Sequence, residues 1–308
     1  MEKQATRVAY GKTLAALGEE KMFFVLDADL SGSTNTKTFG DKFPERFFNC
    51  GIAEGNMMSV AAGMAAAGVP VFASSFAMFA TGRAFEQIRN SVGYPHLNVK
   101  IGATHGGISV GEDGASHQCC EDFGLMRTIP GMVVMSPADD IEAKAMVRAA
   151  YLHEGPVYMR FGRAAVPVIH GDDFKFEIGK GETLRDGKDV AIIANGLMVA
   201  EALTAAEELA AAGIDAMVIN MASIKPLDEE LVLAAAKKCG KIITCEEHSV
   251  IGGLGEAVCS YLAENCPTIV KRIGVNDEFG HSGPAAALLK QFGLSAENIV
   301  AKAKELCK

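Results

Sequence analysis

One stretch decides the fold: Val99-Lys-Ile-Gly-Ala-Thr104, followed directly by His105-Gly-Gly-Ile-Ser-Val-Gly-Glu-Asp113-Gly-Ala-Ser-His117. Residues 99–104 have the apolar pattern of a buried strand. The run after them contains four glycines, so no regular helix or strand is expected to persist there. The sequence therefore predicts a loop at the carboxyl end of a buried strand, where open α/β sheets place their ligands.

The side chains of this loop suit proton transfer. The imidazoles of His105 and His117 and the carboxylate of Asp113 could exchange protons with a polyhydroxylated substrate. A surface turn with solvated histidines is the alternative interpretation. Residues 107–111 fit the G-x-S-x-G pattern of a hydrolase nucleophile elbow, but turn residues follow Ser109 where that motif needs a helix. Nearby histidines and cysteines match no familiar zinc spacing, so we predict no metal ligands in this chain.

Strand-like and helix-like segments alternate along the first half of the chain. We predict strands at 22–26, 69–73, 98–104, 132–135 and 156–161, and helices at 6–17, 54–68, 79–91 and 138–153. This alternation is typical of right-handed βαβ units around a parallel sheet that helices cover on both faces.

The alternation breaks at 164–188, where proline, glycine and aspartate predict a linker with a hairpin-like piece. A second α/β pattern follows, with strands at 190–194, 215–220, 241–245 and 268–273 and helices at 197–212, 228–238, 253–263 and 295–306. We therefore predict an α/β protein with two parallel-sheet, largely doubly wound domains in tandem. Their predicted bounds are 1–168 and 189–308, joined by a linker at 169–188.

Composition excludes several classes of function. The 308 residues are 49% hydrophobic and 22% charged, which is ordinary for a globular protein with a sizeable core. A net charge of -9 argues against nucleic acid or an anionic membrane as the main partner. No apolar run reaches membrane-spanning length, and the N-terminus lacks a signal core. The eight scattered cysteines fit small apolar residues in a reducing compartment, so we expect a cytoplasmic protein.

Three further segments carry candidate chemistry. Glu54 begins a helix of small residues, either as an ordinary first-turn acid or as a functional carboxylate beside a tight subunit interface. Phe76 and Phe79 form an aromatic pair that is either core or a flat slot for a heteroaromatic ring. Arg160 and Arg163 end a strand, where guanidinium groups suit phosphate recognition unless they are merely solvated.

Taken together, these segments resemble the transketolase family of thiamine-diphosphate enzymes. Gly51-Ile52-Ala-Glu54 is similar to the family segment whose glutamate contacts the aminopyrimidine, and the His105–His117 run, ending in His117-Gln118, is similar to the family's catalytic loop. Phe76 and Phe79 match the pair that lines the pyrimidine pocket. The segments Ala5-Thr6-Arg7, Asp27-Ala-Asp29-Leu-Ser-Gly-Ser33 and Gly162-Arg163 match those that touch substrate phosphate or the cofactor region.

The resemblance covers the whole chain, but only the pyrimidine-binding and C-terminal domains of the full-length enzymes. The family's Gly-Asp-Gly motif, which holds Mg²⁺ and the diphosphate, is absent from this sequence. The resemblance therefore implies one half of a split transketolase. Its expected partner is a separate N-terminal diphosphate-binding subunit that carries the Mg²⁺ ligands, and this chain would homodimerise within a heterotetramer. Two departures concern the pocket: Gly82 replaces a frequent third aromatic, which predicts a more open pocket, and Gly55 replaces a frequent histidine.

The resemblance also implies a role for each residue. Glu54 would activate the cofactor, with Phe76, Phe79, Asp29 and Ile52 as further cofactor contacts. His105 and His117 would move protons, and Asp113 would orient a substrate hydroxyl. Sugar phosphates would be held by a set that comprises Arg7, Ser33, His105, Asp113 and Arg163.

The implied reaction is transfer of a two-carbon ketol unit from a ketose phosphate to an aldose phosphate. Three alternatives stay open. One is half of a deoxyxylulose-phosphate synthase, and another is the β subunit of a 2-oxoacid dehydrogenase, whose members generally lack this loop. The third is a non-catalytic partner that stabilises or regulates an assembly.

Overall fold

The structure of the chain is a computed structural model that describes residues 3–308. Its first half contains the strands β1 (Lys3–Ala5), β2 (Phe24–Asp27), β3 (Phe47–Asn49), β4 (Val71–Phe76), β5 (Val99–Thr104), β6 (Val133–Met135), β7 (Val157–Phe161) and β8 (Ala165–Pro167). The helices of this half are α1 (Thr6–Glu20), α2 (Ser31–Thr34), α3 (Lys37–Lys42), α4 (Glu54–Ala66), α5 (Phe85–Gln87), α6 (Asp122–Arg127) and α7 (Asp140–Leu152).

The second half has the same alternation. Its strands are β9 (Glu182–Arg185), β10 (Val190–Ala194), β11 (Ala216–Asn220), β12 (Ser223–Lys225), β13 (Lys241–Ser249) and β14 (Ile269–Val275). Its helices are α8 (Met198–Ala211), α9 (Glu229–Cys239), α10 (Leu254–Asn265), α11 (Ala285–Gln291) and α12 (Ala296–Leu306). None of the helices within residues 3–308 is long and apolar enough to cross a membrane.

The first sheet has the strand order β12-β6-β7-β5-β4-β2-β3, and every pair is parallel except β12 with β6. Successive side chains of a strand point to opposite faces, so each apolar strand contributes side chains to a hydrophobic core on either face of the sheet. On one face α1 and α7 pack around Tyr10 and Met146. On the other face α4 and α6 pack around Met57 and Phe123. The sheet is therefore doubly wound.

The second sheet has the order β14-β13-β10-β11-β9, with β9 antiparallel at one edge. Helices α8 and α12 cover one face, where Ile192 and Ile299 are buried. Helices α9 and α10 cover the other face, where Ile193 and Val258 are buried. The predicted fold class of two tandem, largely doubly wound parallel-sheet domains is confirmed.

Two local predictions were wrong. Residues 79–91 do not form one α-helix: two π-helical turns, Phe79–Arg83 and Ile88–Gly93, flank the short α5. Gly82 is a poor helix former, and the Thr81 hydroxyl donates to the Ala77 carbonyl at 2.7 Å, a contact that bends helices. The linker forms no hairpin either, because β8 pairs with β1 and β9 pairs with β11.

One pairing joins the two halves. β12 belongs to the second half of the chain by sequence, yet it adds antiparallel to β6 at the edge of the first sheet. The Lys225 ammonium then donates to the carbonyls of Arg127 and Ile129, at 2.8 and 2.6 Å. The two sheets are thereby tied to each other beyond their covalent linker.

Candidate active site

The carboxyl ends of four neighbouring strands meet at one edge of the first sheet. In the order β2, β4, β5 and β7, the register places Asp27 beside Ser74, Phe76 beside Thr104, and Thr104 beside Phe161. The segments that follow these ends carry most of the predicted site residues, and Glu54 and Ile52 follow β3, the parallel neighbour of β2. Parallel pairing therefore gathers residues that are far apart in the sequence.

An aromatic stack forms the centre of this edge. The Phe76 ring stacks on Phe79 with centroids 5.8 Å apart, and on His105 with centroids 3.9 Å apart. The His117 ring meets Phe79 edge-on at 5.1 Å. The predicted histidines and the predicted aromatic pair are thus in direct contact, although the loop and β4 were separate motifs in the sequence.

His105 is held in an unusual backbone conformation. Its φ is 58°, in the left-handed region, and its residue surface is only 4% exposed. Its Nδ1 lies 2.9 Å from the Thr104 hydroxyl. Burial, and then the charges of Arg7, Arg163 and His117, lower the pKa of His105 to about 3. The imidazole is therefore neutral near pH 7 and can serve as a hydrogen-bond donor and acceptor.

The rest of the loop is more open. Residues Ile108–Asp113 form two short 3-10 turns that meet in a kink at Gly111, and Asp113 at their end is exposed. His117 is half-buried, and its Nδ1 lies 2.9 Å from the Ser116 hydroxyl. Ser109, by contrast, is fully buried, which argues further against a serine nucleophile.

Glu54 is the first residue of α4 and is 4% exposed. Its Oε1 pairs with an Arg83 guanidinium nitrogen at 3.2 Å, and the same guanidinium lies 4.1 Å from the centre of the Phe79 ring. Arg83 therefore links the carboxylate to the aromatic stack. Arg83 was not among the residues predicted from the sequence, although its position four residues after Phe79 in a helical segment is a signal that the two share a face.

Gly82 does not leave an empty pocket, because a Cβ built there would overlap the Cε methyl of Met78. The more open pocket that Gly82 suggested is thus partly filled by this flexible side chain. A Cβ built on Gly55 would lie 3.1 Å from Oε1 of Gln87. At both departures from the family pattern, a neighbouring long side chain therefore occupies the space beside the glycine.

Asn49 links Asp29 to the segment that contains Ile52. Asp29 has a φ of 64° and is exposed; its carboxylate accepts from the Asn49 amide at 2.9 Å. The side-chain oxygen Oδ1 of Asn49 accepts from the backbone N–H groups of Asp29 and Gly51, at 3.1 and 2.9 Å. Ile52 is 75% exposed. The structure therefore brings Asp29 near the Glu54 segment but leaves Ile52 on the surface.

The cationic residues concentrate positive charge at the same edge. Arg7 donates to the Ser33 carbonyl at 2.6 Å, and burial, followed by the charge of Arg163, lowers its pKa. Arg163 donates to the Val110 carbonyl at 3.0 Å and pairs with exposed Glu112 at 3.2 Å. Two guanidinium groups that repel each other beside a neutral imidazole favour an anionic ligand group.

Arg160 does not share this role. It is buried, pairs with Asp122 at 3.2 Å, and donates to the carbonyls of Glu247 and Cys119 at 2.7 and 2.8 Å. The Arg160 guanidinium binds groups of the protein itself. The prediction that Arg160 and Arg163 together form a phosphate site was therefore wrong. Among residues 3–308 no group of three or more His, Cys, Asp or Glu side chains could hold a metal ion.

Two family models match the chain. The model described as the pyrimidine binding domain of transketolase matches residues 2–168, and the model described as the transketolase C-terminal domain matches residues 179–299. The chain therefore belongs to the transketolase family, and the resemblance proposed from the sequence is confirmed.

Three similar proteins have nearly the same length as this chain. A Methanocaldococcus jannaschii protein with the provisional name of transketolase C-terminal section is 52% identical, over 97% of this chain and 95% of its own. A 6-deoxy-6-sulfo-D-fructose transketolase subunit of a Clostridium species is 46% identical, over 91% and 87%. A solved structure described as a split-gene transketolase, in an inactive beta4 tetramer, is 54% identical, has a TM-score of 0.92 and is matched over 98% of both chains.

Proposed function

Because this chain belongs to the transketolase family, we propose that it is the C-terminal subunit of a split transketolase. It transfers a two-carbon ketol unit from a ketose phosphate to an aldose phosphate, with thiamine diphosphate held between this chain and a diphosphate-binding partner. The observation that carries the proposal is the single cluster at the sheet edge, where Glu54, the Phe76–Phe79 stack, two histidines and three arginines meet.

The donor set fits the pyrimidine half of the cofactor. Aromatic faces and a single buried carboxylate suit a flat aminopyrimidine, which stacks on rings and shares a proton with an acid. Phe76 and Phe79 would contact the ring, Glu54 would hold its N1′ nitrogen, and Asp29 and Ile52 would border it. When bound, thiamine diphosphate supplies a nucleophilic carbon and an electron sink for cleavage of a C–C bond.

The diphosphate and its Mg²⁺ need ligands that we place on the partner subunit. Two exposed apolar surfaces are available for the partner subunit and for a second copy of this chain to cover. They are Ile52, which is 75% exposed, and the exposed side of α4 around Val60. We place the assembly, a heterotetramer built on a homodimer of this chain, in the cytoplasm. All eight cysteines are free, which fits that reducing compartment.

The chain's own residues then handle the sugar. His117, half-buried against Phe79, moves protons to and from substrate hydroxyls. His105, neutral because of its surroundings, donates or accepts a hydrogen bond without adding charge. Asp113 orients a hydroxyl. Arg7 and Arg163, with Ser33 beside them, bind the anionic end of the sugar, a phosphate in the proposed substrate.

The test compares the isolated chain with the reconstituted complex. The chain is purified alone and together with a chain from the same genome that carries the diphosphate motif. Each sample receives thiamine diphosphate, Mg²⁺, hydroxypyruvate and an aldose phosphate. We expect ketol transfer only from the complex; full transfer by the isolated chain contradicts the split-enzyme proposal. In a parallel sample that receives pyruvate in place of hydroxypyruvate, consumption of pyruvate indicates deoxyxylulose-phosphate synthesis instead. A complex that turns over neither donor indicates a stabilising partner.

A further inference from the structure

The catalytic loop is held from outside its own domain. Glu247 lies on β13 of the second sheet and is 6% exposed, yet its Oε1 accepts a hydrogen bond from the backbone N–H of Ser109 at 2.5 Å. Ser109 lies between His105 and His117, in the first of the two 3-10 turns of the loop. A carboxylate of the C-terminal domain thus holds the middle of the proposed catalytic segment.

The fit around this contact is tight. Gly107 has a φ of 80°, and a Cβ there would overlap the Glu247 carboxyl group. A Cβ on Gly106 would overlap the Arg160 guanidinium, which itself donates to the Glu247 carbonyl at 2.7 Å. The two glycines after His105 therefore let the loop backbone lie directly against Glu247 and Arg160.

The end of the loop is fastened to the same domain. Gln118, which follows His117, donates from its amide to the His281 carbonyl at 3.1 Å and to the Ile108 carbonyl at 3.2 Å. A Cβ on Gly280 would overlap the Gln118 side chain. Between His105 and Gln118, the loop is thus clamped in its middle and at its end by the C-terminal domain.

The neighbouring acid on the same strand has a different function, which makes it a natural control. Glu246 is also buried, but its two carboxylate oxygens accept from the backbone N–H groups of Leu254 and Gly255, each at 2.7 Å. It caps the first turn of α10 and does not contact the loop. Adjacent buried carboxylates on β13 are thus divided between helix capping and loop holding.

We propose that Glu247 is a positioning residue of the C-terminal domain, whose hydrogen bond to the Ser109 N–H sets the place of His105 and His117 over the substrate. The catalytic consequence rests on the proposed ketol transfer, whereas the effect on the loop itself does not. In this proposal the loop is positioned by an acceptor oxygen within hydrogen-bond distance of the Ser109 nitrogen, and the negative charge of Glu247 is secondary. This distinction makes the proposal testable.

Two substitutions separate reach from charge. Glu247→Gln keeps an oxygen at the same distance but removes the charge; because burial raises the pKa of Glu247, that loss is tolerable. Glu247→Asp keeps the charge beside Arg160 but withdraws the carboxylate by about 1.5 Å. The separation from the Ser109 nitrogen then grows to roughly 4 Å, too long for a hydrogen bond.

In the reconstituted complex, we expect Glu247→Gln to keep kcat within about threefold of wild type, and Glu247→Asp to lower kcat by roughly 10- to 100-fold with little change in the affinity for thiamine diphosphate. Hydrogen–deuterium exchange of peptides covering residues 105–118 should be faster in Glu247→Asp and unchanged in Glu247→Gln. The control Glu246→Asp should lower the melting temperature and leave both kcat and loop exchange near wild-type values.

The opposite order contradicts the proposal. If Glu247→Gln loses more activity than Glu247→Asp, the residue acts through its charge on Arg160 and does not position the loop. Normal loop exchange in Glu247→Asp also overturns the proposal. If the wild-type complex shows no ketol transfer, the proposed function fails by itself, and the exchange measurements still decide whether Glu247 holds the loop.

Discussion

The two sheets have the same doubly wound architecture, but their carboxyl edges are used differently. At the first edge Asp29 and Asp113 are exposed, and His117 and Arg163 remain partly open to solvent. At the second edge Asn195, Asn220 and Glu246 are all buried, and Glu247 holds the loop of the first domain. Architecture alone therefore does not identify a ligand site. We place the ligand at the edge where part of the polar groups is left open to solvent.

Charge distinguishes the two edges as well. Around His105 the first edge gathers like charges, since Arg7 and Arg163 each disfavour further positive charge on the imidazole. Beside the second edge the polar groups are partnered within the protein: the neutral Asn220 amide donates to Glu142 at 2.9 Å, and His170 nearby lies between Asp139 and Glu182, at 3.0 and 2.9 Å. Unbalanced charge indicates a place for an absent partner, whereas balanced charge indicates a structural junction. Three predictions test this difference.

The largest effect is expected at Glu54. In the complex, Glu54→Gln should slow exchange of the cofactor C2 proton by roughly 10²- to 10⁴-fold, because an amide is a poor proton partner for the pyrimidine nitrogen. Exchange is followed by NMR in deuterated buffer, and gel filtration checks that the assembly is intact. Arg83→Gln is the matched control, since it breaks the same ion pair but leaves the carboxylate. Unchanged exchange in Glu54→Gln would make Glu54 an ordinary first-turn acid.

A smaller effect is expected at Arg163. Arg163→Ala should raise KM for phosphorylated donors by about 10- to 100-fold and leave hydroxypyruvate unaffected, because only anionic sugars use its charged hydrogen bonds. A sulfonated ketose belongs in the comparison, since one similar protein is a sulfofructose transketolase subunit. The control is Arg148→Ala, which breaks an exposed pair with Glu20. Equal losses with every donor would show that Arg163 supports the loop and does not bind the anion.

The smallest effect concerns the junction and should alter stability without altering kinetics. Burial alone would lower the pKa of His170, but the hydrogen bond to Asp139 and the charges of Glu142 and Glu182 raise it to about 9. Because the folded-state pKa lies above the unfolded value of 6.5, protonation of His170 stabilises the folded protein. This stabilisation is fully present below pH 6.5 and is lost as the pH rises through 9.

The difference in unfolding free energy between wild type and His170→Gln should therefore be largest below about pH 6.5, on the order of 1–2 kcal/mol, and should shrink toward pH 9. Urea titrations at several pH values measure it. His153→Gln, a substitution of a histidine outside this cluster, is the control. A difference that is constant from pH 6 to pH 10 would mean that His170 is not charged in the folded protein.

Local patterns predicted most of the fold because strands and helices bury their own periodic apolar residues. The strand at 190–194 and the helix from 6 differ little from the predictions. Apart from the π-helical turns within 79–91, errors arose where partners lie far away in the sequence. β12 is a three-residue strand that exists only because β6 offers it an edge, and β9 pairs with β11 and not with its neighbour β8.

The candidate site likewise contains residues that local motifs identify and residues whose partners lie far away in the sequence. Glu54, the aromatic pair and the histidine loop stand in contiguous motifs, so the sequence could single them out; their catalytic roles stay predictions. Arg160 and Glu247 could not be interpreted from the sequence. A charged residue on a strand is equally consistent with an open edge and with a buried partner, and only tertiary packing decides which it meets.

The pairing of β12 with β6 determines where this chain can be divided. By sequence, residues 169–188 are the natural place to separate two domains for expression or recombination. In the folded chain, a cut there removes Ser223–Lys225 from the first sheet and uncovers the outer edge of β6. Unpaired edges of this kind invite aggregation. For gene fission and for domain exchange alike, the two domains should therefore be kept together on one chain.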